Sequence, residues 1–348
     1  MTVLNYKNLN AKTIADAIIA REAAVAAVDF ASLSLMEKCR YLYAHREHGS
    51  PSVQDKRVLL RMADEIKPEL MKLADAGDCV AKFYVSLFYM GDPICHREWL
   101  DAASGDDYTV MAIYYLRGKK HEVITEEDYE LARSLESYFS ALQDEEQRLI
   151  GMKACHRFFA LYEGKDKLES AEAVKDDRIA LASLGSYSSL QALIYWSSRR
   201  AETGVTEHER IAAAAELDFW HTVSYLVMDY YVRRGNTRHC FTLARMLCEG
   251  HGCDVDVERA INCDVESLLY LKSMLSEEGL ESLKRFCQLH ASVDIGAYDV
   301  LYACIFGDRE ALHAAVAAQE RSGDRSRIKK ADFRIRNELY NDKIRDRS

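Results

Sequence analysis

The sequence predicts an all-α protein in which helix-turn-helix hairpins stack into a solenoid between divergent helical caps. Three observations point there. First, a short pattern recurs four times. Residues 77–91 read GDCVAKFYVSLFYMG, 105–118 GDDYTVMAIYYLRG, 151–164 GMKACHRFFALYEG, and 185–198 GSYSSLQALIYWSS. Each opens on glycine and runs for about one helix length, and repetition at this scale marks stacked-repeat architectures. Second, 348 residues hold only three prolines (Pro51, Pro68 and Pro93), so residues 94–348 carry none of this helix breaker. Third, 49% of residues are apolar, enough for a long continuous core.

Residues 1–70 show helical periodicity without the repeat. The run IADAIIAREAAVAAVDFASL alternates apolar and charged positions at helical spacing. Ser50-Pro51-Ser52 breaks it. This stretch reads as an N-terminal cap, since end units meet solvent on one side and diverge. Residues 71–275 form the repeat region. Aligned on the opening glycine, the fourth following position is small in every copy: Ala81, Thr109, Cys155 and Ser189. The seventh, eighth and eleventh positions hold Tyr84, Ala112, Phe158 and Ala192; Val85, Ile113, Phe159 and Leu193; and Phe88, Leu116, Tyr162 and Trp196. These offsets share one helix face. The tenth position is apolar too (Leu87, Tyr115, Leu161, Tyr195), which predicts burial on more than one side. Two further copies align when anchored at Phe219 and Asn236, giving Val223, Leu226, Val227 and Tyr230, then Cys240, Leu243, Ala244 and Leu247.

Second helices are predicted between the copies, at 124–139, 204–217 and 252–271, each with an acidic start. Thr125 with Asp128, and Thr206 with Glu209, have the spacing of N-terminal capping pairs. Acidic first turns also suit the helix dipole. Residues 276–348 read as a helical C-terminal cap, broken at Gly296, Gly307 and Gly323, with a basic terminal helix.

The helix junctions resemble the Sel-one-like repeat, a relative of the tetratricopeptide repeat. In LARMLCEGHGCDVDVERAI (243–261), Gly250 and Gly252 match the paired glycines of that family, Asp256 its acidic helix start and Ala260 its second-helix alanine. ETGVTEHERIAAAAE resembles the same junction through Gly204 and Ala212, and Ala76-Gly77 resembles the opening of a first helix. The chain departs from the pattern where units lack the second glycine, and where the insert between Gly118 and Gly151 is long. The resemblance implies a right-handed solenoid that binds proteins or peptides, in a family common in bacteria. It implies no catalytic residue.

The formal net charge is −10. Residues 320–348 carry ten Lys and Arg against six Asp and Glu; the remaining 319 residues carry 36 against 50. An acidic body argues against nucleic acid as the partner, because that binding rests on clustered cations. It would suit a basic protein or peptide. The opening MTVLNYKNLNAKTIADAIIA has no continuous apolar run of the kind a secretory leader needs. No stretch approaches the ~20 apolar residues of a membrane helix. Ten cysteines lack a framework spacing, so a cytoplasmic chain with reduced thiols is expected.

Cys and His lie near each other at Cys95-His96, Cys155-His156, His239-Cys240, His251 with Cys253, and Cys287 with His290. Zinc sites use these residue types. No C-x-x-C pair occurs, and neighbours on a helix point about 100° apart, so small core thiols beside surface histidines are expected, with no metal or cofactor. His251 and Cys253, in a loop, are the better candidates. The phosphate-loop, nucleophile-elbow and H-E-x-x-H patterns are absent. Carboxylate pairs such as Glu126-Glu127 and Asp176-Asp177 read as helix-start charges.

Among 20 tyrosines, Tyr89, Tyr114 and Tyr187 fall off the main buried face. They are the candidate partner-binding residues, since tyrosine is enriched at interfaces; packing against the next repeat is their structural alternative. The function expected is a non-enzymatic interaction scaffold that holds a protein or peptide on its concave face. Two other readings stand beside it. One is an immunity-type protein or inhibitor that neutralises a toxin or host enzyme. The other is a metal-dependent enzyme using the scattered Cys and His.

Overall fold

A computed structural model describes residues 6–51, 53–90, 96–119, 122–236, 239–256 and 259. Among them are thirteen α-helices and no strand. They are α1 (Ala11–Ala27), α2 (Leu35–His48), α3 (Val53–Asp75), α4 (Cys79–Tyr89), α5 (Arg97–Ala102), α6 (Gly105–Gly118), α7 (Glu126–Ser140), α8 (Glu145–Tyr162), α9 (Lys167–Ala173), α10 (Lys175–Ser183), α11 (Tyr187–Thr203), α12 (Glu207–Arg233) and α13 (Cys240–Glu249). No helix among the described residues is long and apolar enough to cross a membrane. The expected C-terminal cap over 276–348, and most of the helix expected at 252–271, lie outside the described residues. The chain divides into two units, Met1–Val227 and Met228–Ser348, so the division falls within α12.

Local chemistry places the ends of these helices. Ser34 and Glu37 form a capping box at the start of α2. Thr125 and Asp128 form another at α7, with Asp128 Oδ2 accepting from Thr125 N at 2.9 Å. At α12, Thr206 accepts from Glu209 N at 3.1 Å. The capping pairs read from the sequence therefore form at both positions. The Ser50-Pro51-Ser52 break falls between α2 and α3. Pro68 lies inside α3.

In the first unit, α3 packs on α4, α7 on α8 and α10 on α11, as hairpins. α6, α8 and α10 pack side by side in order. The repeat columns explain why. All four small residues of the fourth column are buried: Ala81, Cys155 and Ser189 at 0% exposure, Thr109 at 2%. Tyr84, Ala112 and Phe158 of the seventh column are buried, as are Val85, Ile113 and Leu193 of the eighth. The tenth position divides: Leu87 and Tyr115 are buried, whereas Tyr195 is 70% exposed.

The N-terminal helices do not extend this row. α1 packs on α10, and α2 packs on α11 and α6. Contacts therefore run in a closed circuit through α2, α6, α8, α10 and α11. Gly185 makes the closure sterically possible. Its φ is +92°, and a Cβ there would stand 2.7 Å from the carbonyl oxygen of Ala17 on α1. Arg21 on α1 bonds Glu146 on α8 at 2.9 Å and the Leu184 carbonyl at 3.2 Å. Ser188 donates to the Glu47 carbonyl at 2.6 Å.

Two sequence expectations differ from the structure. Gly151 does not open a helix. Asp144 caps α8, and Gly151 lies buried inside it, where the Phe139 ring of α7 rests on the backbone. Its missing side chain serves close packing. The second helix expected at 204–217 and the copy anchored at Phe219 are one continuous helix, α12. No glycine or proline interrupts 207–233, and Ala213, Trp220, Val223 and Val227 keep a single buried stripe through the first unit's share of it.

Gly151→Ala separates the two roles of that glycine. Helix propensity alone would stabilise the variant by about 1 kcal/mol. A Cβ at 2.3 Å from the Phe139 ring should instead destabilise it by about 1–3 kcal/mol. Urea unfolding should show a lowered midpoint for Gly151→Ala, largely restored by adding Phe139→Leu.

Candidate functional site

Where α2, α6, α8 and α10 face one another, the first unit gathers charge. Arg117, near the end of α6, makes a bidentate pair with Glu47 of α2 at 2.5 and 2.7 Å. The Glu47 side chain is only 8% exposed and that of Arg117 27%. Burial works against the Glu47 carboxylate, but Arg117 outweighs it and holds the group at about 2. Burial likewise opposes the Arg117 charge, and Glu47 overcomes it.

Three further cations converge on this pair. Lys153 and Arg157 stand one turn apart on α8, and Arg178 comes from α10. Lys153 and Arg178 are half-buried; Arg157 is exposed. None of the three side chains makes a hydrogen bond or ion pair among the described residues. Asp177, the nearest carboxylate on α10, is engaged by His156 Nδ1 at 2.7 Å, and that bond raises the imidazole pKa. Burial, then repulsion from Arg117 and Arg178, pushes the Lys153 amine down to about 7, against the pull of Glu47 and Asp177. Burial, then Arg157 and Arg117, pushes Arg178 down to about 10. Arg157 is lowered by burial and by Arg117. Burial is the larger common cause, and mutual repulsion adds to it.

A buried hydroxyl borders the same place. Tyr43 of α2 is 5% exposed, and its OH has no hydrogen-bond partner. It feels the charges of Glu47 and Arg117. A buried donor left unpaired costs about 1–3 kcal/mol. Unneutralised cations and an unpaired hydroxyl together make a surface whose missing component is an anion. Behind it, Glu146 holds Arg21 and His48, so this neighbouring carboxylate is already committed.

Such an array can bind carboxylates or phosphates through charge-assisted hydrogen bonds. Lys153, close to half-neutral near pH 7, is a potential base or nucleophile. Both carboxylates nearest it are tied up, Glu47 by Arg117 and Asp177 by His156, so no free proton acceptor or donor of that type accompanies it.

The tyrosines singled out in the sequence lie elsewhere or deeper. Tyr114 is buried at 7% exposure, its ring 5.7 Å from Tyr43 and 5.6 Å from Phe83, with Arg117 over its face at 5.6 Å. It walls the cationic site from within. Tyr89 is half-buried, donates to the Ala63 carbonyl and carries Lys67 5.0 Å from its ring centre. Tyr187 is half-buried near Glu22, and burial pushes its pKa up to about 12. Tyr114 is thus packed in the core, whereas Tyr89 and Tyr187 keep part of their surface exposed.

Cys155 is fully buried, and burial raises its thiol pKa; His156 turns to Asp177, so the two neighbours diverge. Cys39, Cys79, Cys155 and Cys253 form no disulfide among the described residues. His251 and Cys253 lie in the turn after α13, where the Cys253 thiol donates to the Met246 carbonyl at 3.5 Å. Among the described residues, no three His, Cys, Asp or Glu gather in a metal-binding group.

Arg117, Lys153, Arg157 and Arg178 were not singled out in the sequence. The available signal was the i, i+4 pair Lys153 and Arg157 inside a repeat copy whose other faces are apolar. Net charge pointed the other way, because −10 is a sum over the whole chain and says nothing of one face. Comparison with family models, curated proteins and solved structures finds no match to this chain.

Lys153 predicts a pH-dependent stability. Its folded pKa, about 7, lies below its ordinary 10.5. Below pH 7 the amine is charged in both states, and the cost of confining it is fully present. As pH rises towards 10.5 the unfolded chain holds the extra proton, so stability climbs across that window. Lys153→Met should therefore raise Tm at pH 6 by about 2–4 °C, on the order of 1 kcal/mol. Thermal melts at pH 10 should show most of that gain gone.

Proposed function

We propose that this chain is a non-enzymatic binding module, a right-handed array of Sel-one-like helical hairpins that holds an acidic segment of a partner protein. The segment lies against the cationic face between α2, α6, α8 and α10. One observation carries the reading: Lys153, Arg157 and Arg178 converge from two helices with no ion-pair partner among the described residues, beside an Arg117 that Glu47 already neutralises. A protein that needed only stability would do better with apolar residues there, because like charges brought together and partly dehydrated are destabilising. Retaining them is consistent with a ligand that supplies the missing negative charge.

The helical hairpins and the ordered packing of α6, α8 and α10 support the repeat-array part of the reading. Electrostatic complementarity of this kind speeds capture and selects against wrong partners. The partner favoured is acidic, opposite in sign to the one that composition alone suggested.

Fluorescence anisotropy with a labelled Glu-rich peptide and a matched Lys-rich peptide tests this. The acidic peptide should bind, and added salt should weaken it. Affinity should fall between pH 6 and pH 9 as Lys153 loses its proton. Lys153→Glu with Arg157→Glu should lower affinity more than about tenfold, ~1.4 kcal/mol. Equal binding of the Lys-rich peptide, or an unchanged affinity in the charge-reversed variant, would refute the assignment.

A further inference from the structure

Beside the cationic face, α9, α10 and α11 border a cavity of about 530 Å³. That is the size of a small-molecule site. Its lining is two-sided. Lys175, Arg178 and Arg199 supply cations, Arg199 being paired with Glu202 at 3.0 Å, Asp166 adds one carboxylate, and Ala192, Leu193 and Tyr195 supply an apolar wall. Lys175 is steered by Glu216 at 2.8 Å and lies 4.3 Å from the centre of the Trp196 ring. Arg200 lies 5.0 Å from the same ring. The Arg178 side chain makes no hydrogen bond or ion pair among the described residues.

Trp196 also lines the cavity. It is 4% exposed, and its indole N–H has no hydrogen-bond partner. A buried N–H can only donate, and natural proteins rarely leave one unused. Arg178, with its guanidinium unpaired among the described residues, and Trp196, with its buried indole N–H unpaired, therefore both line one partly open cavity. Both call for an acceptor rich in lone pairs. A phosphate monoester offers three such oxygens and nearly two negative charges, where a carboxylate offers two oxygens and one charge. Arg157 and Arg117, within electrostatic reach of Arg178, favour the dianion further. The volume exceeds that of phosphate alone, and Leu193, Ala192 and the 70% exposed Tyr195 ring suit a flat or apolar body.

We propose that this cavity binds an organic phosphate monoester, with its phosphate at Arg178, Lys175 and the Trp196 N–H and its apolar body against Leu193 and Tyr195. This goes beyond the acidic-segment reading and shares Arg178 with it. The group has two natural sources, a free nucleotide-like metabolite and a phosphorylated tyrosine of a protein.

Calorimetry on the full chain with phenyl phosphate, AMP, a phosphotyrosine peptide and benzoate tests it. Phenyl phosphate should bind with Kd below ~1 mM and at least about tenfold tighter than benzoate, the ratio being ~1.4 kcal/mol. Tighter binding of AMP identifies the metabolite source, and tighter binding of the phosphotyrosine peptide the protein source. The Trp196 indole N–H signal, assigned by Trp196→Phe, should shift on saturation. Ala192→Phe, which fills the cavity, should abolish phenyl phosphate binding and leave the acidic peptide bound. Should that variant not fold, Tyr195→Ser at the exposed rim should weaken phenyl phosphate at least threefold. Lys153→Glu with Arg157→Glu should weaken the acidic peptide more than it weakens phenyl phosphate, which loses only the longer-range help of Arg157 to Arg178. Absence of saturable binding by phenyl phosphate, benzoate binding as tightly, or an unmoved Trp196 signal at saturation would each overturn the proposal.

Discussion

The ion pair between Arg117 and Glu47 is the constraint around which the first unit is organised. It joins α2, a helix outside the repeat, to α6, a helix within it. Its geometry is bidentate, and bidentate pairs hold two helices in one register as well as together. The desolvation that such a pair suffers is heavy, and the mutual attraction offsets it only when both oxygens are satisfied. Here both are. The pair is neutral as a unit, so it cannot absorb the charge of Lys153, Arg157 and Arg178 around it. The same contact that fixes α2 against α6 thus leaves a net positive field in front of α8 and α10.

Closure of the helix circuit depends on a second set of contacts, and each needs a small or polar residue at one place. Gly185 lets the backbone of α1 approach, and Ser188 reaches the Glu47 carbonyl. Glu146 takes Arg21 from α1 and His48 from α2. These links bring the N-terminal helices back onto α10 and α11, where an open stack of hairpins would have left them at one end. They also explain why the interior of the circuit is not an ordinary apolar core. The repeat columns spend their apolar residues on packing between helices, and Tyr43, Glu47, Arg117, Lys153, Arg157 and Arg178 come within electrostatic reach of one another on what remains.

Much of the fold was legible. The small-residue column is buried in all four glycine-opened copies because Ala81, Thr109, Cys155 and Ser189 each sit where another helix comes close. Thr125 and Asp128 could be read as a cap because capping is decided by residues three apart, with no help from tertiary structure. Gly151 could not be read correctly. A glycine that starts a helix and one that admits an aromatic ring look alike in sequence, and only the position of Phe139 on α7 tells them apart. The packing of Tyr114 was hidden for a related reason. A helix presents several faces, and Tyr114 lies off the stripe that was aligned yet meets Tyr43 and Phe83 from neighbouring helices.

By itself, the sequence determined what is local: helical periodicity, helix ends, the buried small column and the lack of any apolar stretch long enough to span a membrane. Those follow from interactions between residues a few positions apart. Tertiary structure alone decided that α1 and α2 return to α10 and α11, and that four cations from α6, α8 and α10 face one another. The reason is that charge acts through space. Residues 117, 153, 157 and 178 are spread over 62 positions of an acidic chain, and their repulsion exists only once three helices have been packed side by side.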